Sequence, residues 1–307
     1  MDTFIQQIIN GLVLGSIYAL VALGYTMVYG ILGLINFAHG EVVMIGALTA
    51  LTVIKLLADS GLPGTVVVLL GLLAAVPVCM ALGFAIERIA YRPLRNAPRL
   101  APLITAIGVS IVLQQLAMIF WGRNYHAFPP ILPTSSREIG GAHITDVQIV
   151  IILLAVAIMA GLMLLVNRTR LGRAMRATAE NPQIAGLMGV NINVIISATF
   201  LIGSALAAVA GVMVSANYSI AHYHMGFILG LKAFTAAVLG GIGNLPGAML
   251  GGVLLGLIES LGAGYIGDLT GGFLGSHYQD VFAFFVLILV LVFRPSGLMG
   301  EKVAERA

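Results

Sequence analysis

Asn36, His39 and Glu41 open one apolar run, Lys232 lies inside another, and Glu259 stands near the end of a third. A charge at membrane depth costs at least ~2.5 kcal/mol unless it is paired or wet, so such residues usually line a substrate path, relay protons or form a buried pair. Two readings stand side by side here: a translocation path, or a structural ion pair such as Glu41 with Lys232. Asn36-Phe37-Ala38-His39-Gly40 also reads as a helix break with a satisfied histidine. A second polar set fills the stretch from Asn167 to Asn191, where Arg168, Arg170, Arg173 and Arg176 precede Glu180-Asn181-Pro182. The chemistry on offer is binding and docking. The sequence holds no H-E-x-x-H, C-x-x-C or G-x-S-x-G, which argues against an enzyme, and no G-x-x-x-x-G-K-[ST] phosphate cradle. His222-x-His224 reads as two unliganded loop histidines, and the sole cysteine, Cys79, lies within an apolar run. No metal or cofactor is expected on this chain.

The elements that must position these residues follow from composition. The chain is 60% hydrophobic and 9% charged, with 38 glycines in 307 residues, and its mean hydropathy is +1.06. That is a polytopic, all-α membrane protein, since roughly 20 apolar residues span a ~30 Å hydrocarbon core. Candidate segments are 4–24, 40–57, 64–87, 103–120, 147–167, 191–216, 228–240, 247–262 and 279–293, giving eight or nine crossings or half-crossings. No Lys or Arg precedes the first, so it reads as a retained helix rather than a cleaved leader. We read residues 1–307 as a single transmembrane domain with a polar insert at about 168–190.

The basic residues cluster: Arg88, Arg92, Arg95 and Arg99 in one loop, four arginines in the insert, and Arg294, Lys302 and Arg306 at the C-terminus. The positive-inside rule puts these on the cytoplasmic face and explains the pI near 9.1 without nucleic acid. The N-terminus and the 121–146 loop, with Trp121, Tyr125, Pro129, Pro130 and Pro133, then face the periplasm, and nine crossings fit. Segments 228–240 and 247–262 are short, reaching only ~20 Å at 1.5 Å per residue. They read as half-helices or a re-entrant pair around the breaker Gly240 to Gly247. Gly247-x-x-x-Gly251 and Gly252-x-x-x-Gly256 place small residues on a helix face for close packing. Gly15 to Gly24 and Gly203 to Gly211 echo each other, as the halves of an internal repeat would.

In the insert, 172–179 is a run of good helix formers. Asn181 and Pro182 supply an N-cap and first-turn proline for a second short helix, Gln183 to Met188, which stops at Gly189. Its apolar face, Ile184, Ala185, Leu187 and Met188, suits either an amphipathic linker on lipid headgroups or a knob for a soluble partner.

The insert resembles the coupling loop of ABC-importer permeases, in which a Glu precedes a Gly by six residues; Glu180 and Gly186 keep that spacing. Asn181-Pro182 replaces the usual Ala-Ala and the later Leu-Pro is missing, which sets it apart from the maltose-type subgroup. Leu23 to Glu41 (LGYTMVYGILGLINFAHGE), Lys232 to Gly252 (KAFTAAVLGGIGNLPGAMLGG) and Arg294 to Gly300 (RPSGLMG) resemble the membrane subunit of bacterial branched-chain amino-acid ABC importers, and the likeness extends over nearly the whole chain. The resemblance implies an inner-membrane permease for leucine, isoleucine and valine. It also implies a second homologous permease subunit, two ATPase subunits carrying ATP and Mg²⁺, and a periplasmic amino-acid-binding protein. It assigns coupling to Arg173, Arg176, Glu180, Asn181, Pro182, Ala185, Gly186, Leu187 and Gly189. Permeases for urea and short amides look similar, and a proton-coupled transporter using Glu41, Glu259 and His39, or a channel lined by glycine-broken segments, are the non-ABC alternatives. The capped insert favours the ABC reading.

Overall fold

The structure, a computed structural model, describes residues 2–95, 97–98, 100–129, 135–139, 141–271 and 278–300. These form α1 Asp2–Leu32, α2 His39–Leu56, α3 Gly64–Ala85, α4 Leu100–Trp121, α5 Asp146–Arg168, α6 Arg170–Glu180, α7 Pro182–Leu187, α8 Ile192–Tyr218, α9 Met225–Gly240, α10 Leu245–Leu269 and α11 Gln279–Phe293. A π-helical turn, Ile86–Tyr91, prolongs α3 and leads into a 3-10 turn at Arg92–Leu94. Two small antiparallel ribbons, β1 His126–Ala127 with β4 Ile220–Ala221 and β2 Ser136–Ile139 with β3 Ala142–Thr145, lie in stretches the sequence marks only as loop.

Seven helical runs among the described residues are long and apolar enough to cross a membrane, and Leu245–Gly267 is one of them. The expectation that 247–262 is a half-helix is therefore corrected. Asn244 Oδ1 accepts the Gly247 N–H at 2.8 Å, which starts the helix before the glycines. Each glycine then faces a neighbouring helix: a Cβ on Gly252 would lie 2.7 Å from the Ala19 Cβ, and one on Gly256 2.5 Å from the Gly11 carbonyl oxygen. α1 also outruns its expected end at residue 24. Tyr25, Thr26 and Tyr29 lower the hydropathy without interrupting the helix, which ends where Gly33 takes a positive φ of 63°. α9 and α11 remain short.

The helix packing is two-fold in kind. α1 packs on α10 as α8 packs on α3, α2 on α3 as α9 on α10, α2 on α8 as α9 on α1, and α2 on α4 as α9 on α11. α1 meets α8 and α2 meets α9, the pairs that such an exchange turns into themselves. The sequence echo lies on α1 and α8. At the centre of the arrangement the first turns of α2 and α9 cross: a Cβ on Gly40 would collide with the Gly226 carbonyl, and one on Gly226 with the Gly40 carbonyl. Only glycine at both positions lets the two backbones touch.

The basic segments gather at one end of the bundle. Arg92 and Arg95 reach Ser197 and Asn193 at the start of α8. Thr26, Gly30, Met175, Arg176 and Gly243 border a common cleft that joins the end of α1, the insert and the α9–α10 link. The Leu298 and Met299 N–H groups, beyond α11, donate to the Leu239 and Gly240 carbonyls at the end of α9. Arg99, Pro130, Pro133, Lys302 and Arg306 lie outside the described residues. The opposite end carries both ribbons and the contact of Gln6 with His143.

Candidate functional site

The intramembrane polar residues separate into two groups, and the pairing of Glu41 with Lys232 is not the one formed. Lys232 Nζ, on α9, lies 2.7 Å from Glu259 Oε1 on α10 and 2.7 Å from Asp280 Oδ1 on α11. The Tyr18 hydroxyl, on α1, donates to Glu259 Oε2 at 2.9 Å. One cation thus ties α9, α10 and α11 together, with α1 joined through the second carboxylate oxygen. The Glu41 reading fails for a geometric reason: α4, not α9, presents its polar side chains to Glu41.

Glu41 is buried in the first turn of α2, where its Oε1 accepts the Ser110 hydroxyl at 3.0 Å and Gln114 Nε2 at 2.7 Å. Its Oε2 has no hydrogen-bond partner among the described residues and faces the backbone of Gly226, where a Cβ would stand 2.8 Å away. His39 is buried against Gly24 of α1 and meets the Tyr25 ring edge-on at a centroid distance of 4.9 Å, with Nε2 unpartnered. The helix break the sequence suggested is present, and its histidine, bonded to the Val21 backbone, lacks a partner only at Nε2 among the described residues. Asn36 is fixed instead: its Oδ1 accepts the Tyr91 hydroxyl at 3.1 Å.

A cavity of about 510 Å³ opens beside this group, bordered by Tyr25 and Phe37 on one side, Ser110 and Gln114 of α4 on another, and Phe227 and Leu231 of α9 on a third. Its walls are aromatic and aliphatic. Its polar groups are the Tyr25 hydroxyl, the His224 imidazole, Ser110 and Gln114; the donors of Ser110 and Gln114 are turned towards Glu41, which leaves the Gln114 amide oxygen as an acceptor. Lys232 and Glu259 do not border it.

The insert folds as two capped helices. Thr169 Oγ1 accepts the Gly172 N–H at 3.0 Å and starts α6; Asn181 Oδ1 accepts from Gln183 and Ile184, both at 3.0 Å, and starts α7 behind Pro182. α7 ends as the Val190 N–H donates to the Ala185 carbonyl at 3.0 Å with Gly189 at φ 86°. Gly172 is the residue the sequence reading passed over as one helix former among several. A Cβ there would collide with the Leu165 and Val166 carbonyls, so glycine lets α6 fold back tightly on the end of α5. Arg176 anchors the same corner through the Val166 carbonyl and Asn167 Oδ1. Ala185 is buried under α7, whereas Ile184, Leu187 and Met188 are 59%, 88% and 80% exposed. Arg173 and Glu180 are exposed without a partner among the described residues, and Gly186 faces nearly open space, a Cβ there meeting only Ile192 at 4.0 Å.

Residues 7–291 match the family described as "Branched-chain amino acid transport system / permease component". The chain belongs to this family. It is 50% identical to the high-affinity branched-chain amino acid transport system permease protein BraD of Pseudomonas aeruginosa, over 99% of this chain and 98% of that one. It is 45% identical to the corresponding permease protein LivH of Escherichia coli K12, over 99% and 97%. A probable branched-chain amino acid transport permease protein LivH of Methanocaldococcus jannaschii is 28% identical over 96% of this chain and 92% of its own. The permease family and the seven membrane-length helices together make this a multi-pass membrane transport component.

Proposed function

We propose that this permease is one membrane-spanning subunit of an ATP-driven importer that carries leucine, isoleucine and valine across the inner membrane. The observation that carries the reading is the full-length likeness to permeases named for branched-chain amino acids, and the site geometry supports it. The aliphatic cavity takes the side chain, the Gln114 amide oxygen receives the substrate ammonium, and Glu41 acts as a positioning residue that holds Gln114 in place. Selection among the three amino acids belongs to a periplasmic binding protein docking at the ribbon-bearing end.

The α6–α7 insert is the coupling element. It sits at the arginine-rich end, which we assign to the cytoplasm by charge. Its exposed Ile184, Leu187 and Met188 form the knob that enters a groove of a partner ATPase, with Arg173 and Glu180 as rim charges. Asn181, Pro182 and Gly189 fix the knob's shape, Arg176 fixes its angle to α5, and Ala185 seats it on the rest of the chain. ATP and Mg²⁺ belong to two ATPase subunits, and a second homologous permease completes the membrane part. The test is uptake into proteoliposomes holding the complex purified with its co-isolated chains. ATP-dependent accumulation of labelled leucine supports the reading. Accumulation of urea instead of leucine removes the substrate assignment, and leucine uptake driven by a proton gradient without ATP removes the mechanism.

A further inference from the structure

At the arginine-rich end a groove of about 480 Å³ lies between the end of α3 and the start of α8, bordered by Arg88, Arg92, Asn191, Asn193 and Ser197, with Phe84, Val194 and Leu201 above them. Its floor is built around Glu87, which is fully buried and saturated. Arg92 donates to both carboxylate oxygens at 3.2 and 3.1 Å, Arg95 donates to Oε1, and the Ser197 hydroxyl donates to Oε2 at 2.8 Å. The acceptors nearby are equally occupied. Asn193 Oδ1 receives Arg95 Nη1 at 2.6 Å, and Asn191 Oδ1 receives the Val194 N–H at 3.3 Å. What each asparagine leaves unused is its NH₂ group. Arg88 is exposed, with no partner for its guanidinium among the described residues. The groove is therefore lined with free donors, and Arg88, Arg92 and Arg95 against the single Glu87 leave it with two net positive charges.

An all-donor cationic surface takes an oxyanion, and its location says which kind. The groove opens at the end of membrane-crossing helices, and its rim is apolar and exposed: Phe84, Ile89 and Val194 are all uncovered. A water-soluble anion has no use for that rim, whereas a phospholipid places its phosphate on the arginines and its chains along Phe84, Val194 and Leu201. Basic pockets between helices at this level are the recurring form of anionic headgroup recognition. We propose that the α3–α8 groove is a binding site for the phosphate of an anionic phospholipid, clamped by Arg88 and the asparagine NH₂ groups on a floor set by Glu87. The π-helical turn is part of the device: it carries Glu87 into the core while Arg88, the next residue, points out.

The test uses the intact complex in mild detergent, with lipid occupancy read by native mass spectrometry against phosphatidylglycerol and phosphatidylcholine titrations. The parent should retain phosphatidylglycerol selectively. Arg88→Gln should bind it roughly fivefold less tightly, the share of one interfacial arginine, with phosphatidylcholine occupancy unchanged, and Arg88→Lys should keep most of the preference. Arg170→Gln, on the insert, serves as the control for diffuse charge and should change nothing. Four outcomes overturn the site: no selectivity in the parent, equal losses in Arg88→Gln and Arg170→Gln, displacement of the lipid by inorganic phosphate at equal concentration, or loss of ATPase chains from Arg88→Gln with lipid retention unaltered. The last would make the groove a protein contact.

Discussion

The burial of Glu259 beside Lys232 sets the first prediction. Lys232→Met removes the one cation shared by Glu259 and Asp280 and leaves a carboxylate in the core, a loss on the order of 3–5 kcal/mol when one partner of a buried pair is deleted. Lys232→Met with Glu259→Gln should recover most of that, since the amide oxygen still accepts the Tyr18 hydroxyl. Thermal unfolding of the purified complex measures both, and a Lys232→Met protein as stable as the parent would refute the triad. Glu41→Gln should behave differently. Its Oε1 can keep both donors, so stability should change by about 1 kcal/mol or less, while leucine uptake falls because a neutral acceptor fixes the Gln114 amide less firmly than the carboxylate does. Normal uptake by a stable Glu41→Gln protein would remove Glu41 and Gln114 from the cargo path. The sequence made Glu41, Lys232 and Glu259 conspicuous because charges in apolar runs are costly. It did not show their partners, because Asp280 comes from another helix and nothing local ties it to Lys232. Ser110 and Gln114 were legible in principle: a four-residue spacing puts both on one face of a mostly apolar helix.

At the level of elements, two glycines of the insert separate folding from coupling. Gly172→Val should dislodge α6 from α5, because any side chain there runs into the Leu165 and Val166 carbonyls. Protease sensitivity of the insert should rise and transport should be lost with it. Gly186→Trp meets open space in this chain, so helix content and membrane insertion should be unchanged. If α7 fits a partner groove, ATP hydrolysis should continue without leucine uptake, or the ATPase should fall away on purification. Normal transport by Gly186→Trp would end the coupling assignment. Asn181→Ala, which deletes the cap of α7, should cost ~0.5–2 kcal/mol locally and weaken coupling in proportion. Caps, prolines and positive-φ glycines made α7 readable from sequence because each acts within a few residues. The length of α10 was not readable in the same way. Its glycines look like breakers in a hydropathy profile, and only the packing of α1 against them makes the helix continuous.

Over the whole molecule, the exchange of α1–α4 with α8–α11 reverses direction, since four membrane-length helices, α2 to α5, lie between α1 and α8 and make the two run opposite ways. The two halves therefore enter the bundle from opposite faces, and the crossing of Gly40 with Gly226 lies where they meet. Inverted halves around a central crossing suit alternating access, as each half presents the same hinge to its own side. The orientation itself rests on charge and is open to direct measurement. Cys79 is buried, so the parent should be silent to an impermeant thiol reagent. Ser135→Cys, at the ribbon end and exposed, should label from the periplasm in intact cells; Glu180→Cys, on the insert, should label only in inverted vesicles. The reverse pattern would turn the molecule over, put the insert out of reach of any cytoplasmic ATPase, and defeat the importer reading at the same time. Labelling of both sites from one side would instead require an even number of crossings between 135 and 180, which α5, as a single membrane-length helix with a capping box at Thr145 and Gln148, does not permit.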